Sequence, residues 1–81
     1  DGNEQFEVAI SCLVENRSGR LAAIANTLAN LSVNIENIEQ QQRPGSDRLF
    51  YITLLVANII ELNNVLDKLN KLPHLISAGR L

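Results

Sequence analysis

The sequence predicts an α+β sandwich built from two strand-helix-strand units in βαββαβ order, and three observations carry that prediction. The helical spacing Leu21, Ile24, Leu28, Leu31 returns as Leu62, Val65, Leu69, Leu72 at a constant offset of 41 residues. Each copy follows an apolar extended run and precedes another, with Ile35 and Ile76 at matching offsets. Pro44-Gly45 then separates the two copies with turn chemistry. Two such units form a compact layered domain.

The first strand is expected from about 6 to 14, where Phe6, Val8, Ile10, Cys12 and Val14 repeat with the period of two that a strand imposes. Glu15 to Gly19 interrupts with polar, turn-forming residues. Ser18 or Gly19 then leads into a helix over Arg20 to Leu31 whose first-turn N–H groups are left free. Extended structure resumes over Asn34 to Glu39, but Ile35 and Ile38 differ in parity, so a bulge is needed to put both on one face. Arg43 to Asp47 is the turn into a third strand over Arg48 to Ala57. That strand is apolar on both faces, with Phe50, Ile52, Leu54 and Val56 forming the purer set, so it reads as central. Asn58 is the expected N-cap of the second helix, Pro73 stops it after Leu72, and Leu75 to Leu81 forms the last strand.

Right-handed crossovers place both helices on one face of a four-stranded antiparallel sheet, the ferredoxin-like topology. The reverse face then has no cover. Leu13, Leu49, Tyr51 and Leu55 are expected there, either as scattered surface apolar groups or as a contact surface; contiguity favours contact.

With 81 residues the chain forms one domain, 1–81, too small to bury more than about 60% of its unfolded surface, so association is expected on size alone. Its first residues, 1–5, read as a flexible lead-in. The absence of methionine, including at position 1, and the lack of a signal-like start imply a segment of a longer polypeptide. The hydrophobic fraction of 46% contains no run near eighteen residues, which argues for a soluble chain with no membrane partner. A net charge of −2 with scattered cations gives no footprint for unaided nucleic-acid binding. Arg17, Arg20, Arg43 and Arg48 read as solvated charges on separate loops, without accompanying aromatic residues.

Catalytic and metal chemistry find no constellation in the sequence. Cys12 lies within an apolar strand and reads as a small buried hydrophobe; one cysteine makes no disulfide framework, which fits a reducing, cytoplasmic setting. His74, beside Pro73, lacks the second ligand or triad partner that metal binding or nucleophilic catalysis requires. Glu36 and Glu39, three apart on an extended segment, make a poor acid and base pair. Gln40, Gln41 and Gln42 read as a solvated strand end. No cofactor, no metal and no catalytic residue is expected.

The stretch Glu15-Asn16-Arg17-Ser18-Gly19-Arg20-Leu21, with Val33-Asn34-Ile35 at the second strand, resembles the ACT domain, a small regulatory module that commonly senses amino acids. The similarity covers nearly the whole chain. The family's usual turn is Asp-x-Pro-Gly followed by an apolar residue; Gly19 and Leu21 fit it, Glu15 and Ser18 stand near the acidic and proline positions, and the proline is missing. Within that family, Asn34 to Ile38, Leu62 to Leu69 and Leu72 to Ala78 look most like the C-terminal ACT domain of RelA/SpoT enzymes, which make and degrade (p)ppGpp. Leu13 to Gly19 and Asn34 to Glu36 also look like the start of the small regulatory subunit of acetohydroxyacid synthase, which binds valine.

The resemblance implies a non-catalytic regulatory domain of a GTP pyrophosphokinase acting in the stringent response, in contact with ribosome or transfer RNA only within its parent protein. Asn16, Arg17, Ser18, Gly19, Leu21, Asn34 and Ile35 are the ligand-binding positions it implies for an amino-acid effector. Helix-terminal N–H groups suit a carboxylate, and Asn34 offers both a donor and an acceptor. Alternatively, Ser18 and Gly19 only cap the helix and Asn34 only ties the loop down. A homodimer, or contact with other domains of the same polypeptide, is the expected partner arrangement, through sheet edges or through Leu13, Leu49, Tyr51 and Leu55.

Overall fold

A computed structural model describes residues 4–15, 19–42, 45, 47–73 and 75–81. Its elements are β1 (Phe6–Glu15), α1 (Arg20–Asn30), β2 (Asn34–Gln42), β3 (Asp47–Val56), α2 (Ile59–Asn70) and β4 (Leu75–Arg80). The sheet order is β2-β3-β1-β4, antiparallel at each junction, which is the ferredoxin-like βαββαβ arrangement. β1 and β3 pair along their full length, from Phe6 opposite Val56 to Glu15 opposite Asp47. Their central position explains why both are apolar at almost every core-facing site.

Strand alternation decides what is buried. Val8, Ile10, Cys12 and Val14 from β1 and Phe50, Ile52, Leu54 and Val56 from β3 point to one face, where they pack with Ile24 and Leu28 of α1 and Leu62, Val65 and Leu69 of α2. Both helices therefore cover the same side of the sheet. The internal repeat is not uniform, however. Helix positions correspond at an offset of 41, Ile24 to Val65 and Leu28 to Leu69, whereas core strand positions correspond at 42, Val8 to Phe50 and Val14 to Val56. An odd offset would turn β3 inside out. One extra residue between β1 and α1, relative to β3 and α2, absorbs the difference.

Both edge strands carry bulges. In β2 the register against β3 shifts between Ile35 and Asn37, leaving Glu36 as the extra residue. The parity conflict is thereby resolved, because Ile35 and Ile38 both pack against the core. In β4 the register against β1 shifts where Leu13 faces Ser77 and Val14 faces Leu75, leaving Ile76 unpaired. Ile76 is consequently 50% exposed and is not the packing equivalent of Ile35 that its sequence offset implies.

The helix ends follow from local chemistry. Asn58 caps α2: its Oδ1 accepts from the Glu61 N–H at 2.8 Å, while Glu61 Oε1 accepts from the Ala57 N–H at 3.0 Å, a variant of the capping box. Asn70 clamps the other end, donating from Nδ2 to Leu66 O and Ala78 O and accepting at Oδ1 from the Ala78 N–H. α1 ends in a Schellman motif, with the Ser32 N–H bonded to Ala29 O and the Val33 N–H to Leu28 O, both at 3.0 Å. The residue in the left-handed position is Ser32, at φ 60°, where glycine would be strain-free.

Candidate functional site

The helix entrance is the first place where the structure offers open polar groups. Gly19 takes a left-handed conformation, φ 83° and ψ −1°, and turns the chain into α1. Ala23 N–H closes the first helical turn on Gly19 O at 2.9 Å, and no side chain among the described residues caps the N–H groups ahead of it. Those groups can meet an anion or carboxylate. Arg20 fastens this entrance to the far connection by donating from Nη1 to Pro73 O at 3.0 Å. Leu21 is 37% exposed. Asn16, Arg17 and Ser18, also expected here, lie outside the described residues, as do Arg43 and His74.

Asn34 and Ile35 lie elsewhere. Asn34 is opposite Leu55, and Leu55 is opposite Glu7, so the start of β2 sits at the end of the sheet where β1 begins. Gly19 follows the other end of β1. Glu15 stands eight positions beyond Glu7 on β1, roughly 27 Å at about 3.4 Å per residue. Within one copy of the chain, the Gly19 and Leu21 group and the Asn34 and Ile35 group are thus at opposite ends of the sheet. Asn34 is exposed and Ile35 half-buried.

The reverse face of the sheet holds a second open feature. Glu7, Ala9, Ser11, Leu13 and Glu15 of β1 lie opposite Leu55, Thr53, Tyr51, Leu49 and Asp47 of β3, all turned away from the helices. Leu13, Leu49, Tyr51 and Leu55, the expected contact set, therefore share this face, each half-buried. In its middle an open depression of about 430 Å³ is lined by Ala9, Asn37, Glu39, Tyr51, Thr53 and Leu81. Parity along β1 and β3 could have revealed Ala9 and Thr53. With a bulge placing Ile38 inside, its neighbours Asn37 and Glu39 fall on this face by the same parity.

No group of acidic, histidine or cysteine side chains among the described residues could hold a metal ion. Cys12 is buried in the core, where desolvation pushes its thiol up to about 11, so it is inert at neutral pH. No described helix is long and apolar enough to cross a membrane.

Comparison with known families gives a match to the ACT domain over residues 2–80. The chain belongs to the ACT domain family. ACT domains are regulatory rather than catalytic, and they commonly bind amino-acid effectors and oligomerise. The ACT domain from the GTP pyrophosphokinase of Chlorobium tepidum superposes with a TM-score of 0.82 at 22% identity, covering 96% of this chain and 100% of that one. The regulatory subunit of aspartate kinase from Thermus thermophilus superposes at 0.75 with 17% identity, covering 96% of this chain and 52% of that subunit. Prephenate dehydratase from Staphylococcus aureus gives 0.72 at 21% identity, over 99% of this chain and 30% of that enzyme. At these identities the likeness is one of fold. No curated protein matches the sequence.

Proposed function

We propose that this ACT domain is a single regulatory module of a longer polypeptide, a cytoplasmic (p)ppGpp synthetase/hydrolase, and relays nutritional or ribosome-derived signals to its catalytic domains. The observation that carries this reading is the agreement of fold over essentially the whole of both chains with the domain from the Chlorobium GTP pyrophosphokinase. The stretches Asn34 to Ile38 and Leu72 to Ala78, which resemble that enzyme class, support it. The mechanism is a population shift: a partner or effector that prefers one arrangement of domains biases the enzyme toward synthesis or hydrolysis. A coupling free energy of about 1–3 kcal/mol, roughly 5- to 150-fold in affinity, is enough for such control.

An effector site, in this reading, takes two copies. Antiparallel pairing of two β2 edges places the Asn34 end of one copy beside the Gly19 end of the other, because β2 runs from the former end of the sheet to the latter. The Gly19 entrance supplies N–H donors for a carboxylate and Asn34 supplies an amide. Sedimentation at high concentration should show a dimer; a monomer throughout would remove the two-copy site.

Two measurements test the functional reading. Calorimetric and NMR titration with valine, leucine and isoleucine checks the effector site: saturable shifts at Gly19 and Asn34 would count against control through domain contacts alone. Binding of valine alone, at a dimer purified together with acetohydroxyacid synthase, would move the assignment to that enzyme's small regulatory subunit, which Leu13 to Gly19 also resembles. Reading the coding sequence ahead of Asp1 checks the parent. (p)ppGpp catalytic domains are expected there, and a different enzyme in that place would refute the proposal.

A further inference from the structure

Charge is distributed unevenly across this sandwich. Of the described basic residues, Arg20, Lys68 and Lys71 belong to the helices or their ends, and Arg48 and Arg80 stand opposite Val14 and Ile10, in the helix-facing register. The reverse face carries Glu7, Glu15, Asp47 and Glu39 and, among the described strand positions, no lysine or arginine. Between these carboxylates run Leu13, Leu49, Tyr51, Leu55, Ala9 and Leu81. The face is thus partly apolar, with Ser11 and Thr53 as polar positions among these side chains, and all its described charged groups are anionic.

The depression at its centre has a specific chemistry. Glu39 and Tyr51 are cross-strand partners on β2 and β3, as are Asn37 and Thr53 one step along, and all four line it. The Glu39 carboxylate has no hydrogen-bond or ion-pair partner among the described residues. Ala9 and Leu81 supply apolar surface on the other side, where the Leu81 N–H is fixed to Ala9 O at 3.0 Å. A carboxylate next to an aromatic ring, with an amide beyond and aliphatic surface opposite, fits a cation on a long apolar stem. Guanidinium matches best, since it pairs with a carboxylate while stacking on a ring.

We propose that the reverse face of the sheet docks a cationic, apolar polypeptide segment of a partner protein, with an arginine side chain seated between Glu39 and Tyr51. Leu49 and Leu55 lie on either side of Tyr51 and Thr53 along β3, so apolar side chains flanking the arginine have surface to cover. A symmetric second copy is a poor occupant, because it would bring these carboxylates against their own kind in a poorly hydrated contact. Nucleic acid is excluded by the same sign of charge. The inference does not depend on which enzyme carries the domain.

The test is an amide NMR titration of the chain with a blocked eight-residue peptide alternating leucine and arginine, beside the same peptide with glutamate for arginine, and beside free arginine. The arginine peptide should give saturable shifts at Ala9, Asn37, Glu39, Tyr51 and Thr53, and its affinity should fall with added salt. Glu39 is exposed, so Glu39→Gln leaves the core untouched; it should weaken binding at least ten-fold with an otherwise unchanged spectrum. Ile60→Ala, on the first turn of α2, should not change it. Equal binding of the glutamate peptide, shifts confined to the helix side, or an unaltered affinity in Glu39→Gln would overturn the proposal. It would equally be overturned by free arginine binding as tightly as the peptide, which would mark a small-molecule pocket, or by the inner-strand amides of Ala9, Tyr51 and Thr53 shifting with protein concentration alone, which pairing of β2 edges would not cause.

Discussion

Replacing Gly19 with alanine isolates the energetic weight of one backbone conformation. At φ 83° an added Cβ finds nothing within 4 Å, so no clash contributes and the whole folded-state penalty is conformational. For an L residue in the left-handed region that penalty is about 1–2 kcal/mol. Alanine also restricts the unfolded chain, which returns about 0.4–1 kcal/mol. Gly79 supplies the control: its added Cβ likewise meets nothing within 4 Å, but its φ lies outside the left-handed range, so Gly79→Ala keeps the unfolded-state gain without the penalty. The difference between the two variants therefore cancels the unfolded-state contribution and leaves about 1–2 kcal/mol. Thermal unfolding by circular dichroism should place the Gly19→Ala Tm below that of Gly79→Ala by roughly 4–16 °C, at about 4–8 °C per kcal/mol for a domain of this size. Gly19→Asn should fall between them, since asparagine tolerates this region. Equal Tm values for the two alanine variants would refute the argument that Gly19 is held left-handed by the fold.

Other consequences are as direct. Ser32→Gly should raise stability by about 0.5–1 kcal/mol, since glycine relieves the positive φ of the Schellman position while loosening the unfolded chain; urea midpoints measure it. Asn58→Ala removes the acceptor of the Glu61 N–H and should cost about 1 kcal/mol, less for Asn58→Gly, again by urea denaturation. Cys12 makes stability depend on alkaline pH. Its folded value is raised to about 11 from 9.0, so below 9 both states keep the proton and its contribution is fully present. Above that the unfolded chain sheds the proton first, and stability falls by about 1.4 kcal/mol per pH unit up to the folded value. The native chain should lose that increment relative to Cys12→Val between pH 9 and 11, and parallel curves for the two would contradict it.

Much of the architecture was legible because periodicity is a direct image of burial. The alternation of Val8, Ile10, Cys12 and Val14, and the helical spacing of Ile24 and Leu28, name the core before any coordinates do. The bulge in β2 was legible for the same reason, as two isoleucines of opposite parity cannot share a face without one. The bulge in β4 was not. Leu75, Ile76 and Ala78 are all apolar, and nothing local says which of the first two stays inside; the register against β1 decides it, a non-local matter. The candidate site was less readable still. Gly19 and Asn34 were named from a resemblance, which carries no information about their separation along the sheet. In the sequence Glu39 stands out only beside Glu36, as half of a poor acid and base pair, because its neighbours Tyr51 across the strand and Leu81 beyond it are set by the sheet.

The irregularities at Glu36 and Ile76 also govern how this sheet can grow. Each rim of a ferredoxin-like sheet is a template onto which another polypeptide could add, and a kinked template accepts only a short straight length. On β2 that length is Asn37 to Gln42, whose outward polar character from Glu39 to Gln41 discourages greasy strangers. On β4 it shrinks to Ser77 to Arg80. Lateral joining is thereby held to one brief, polar seam on the β2 side, which favours a closed pair over an endless ribbon.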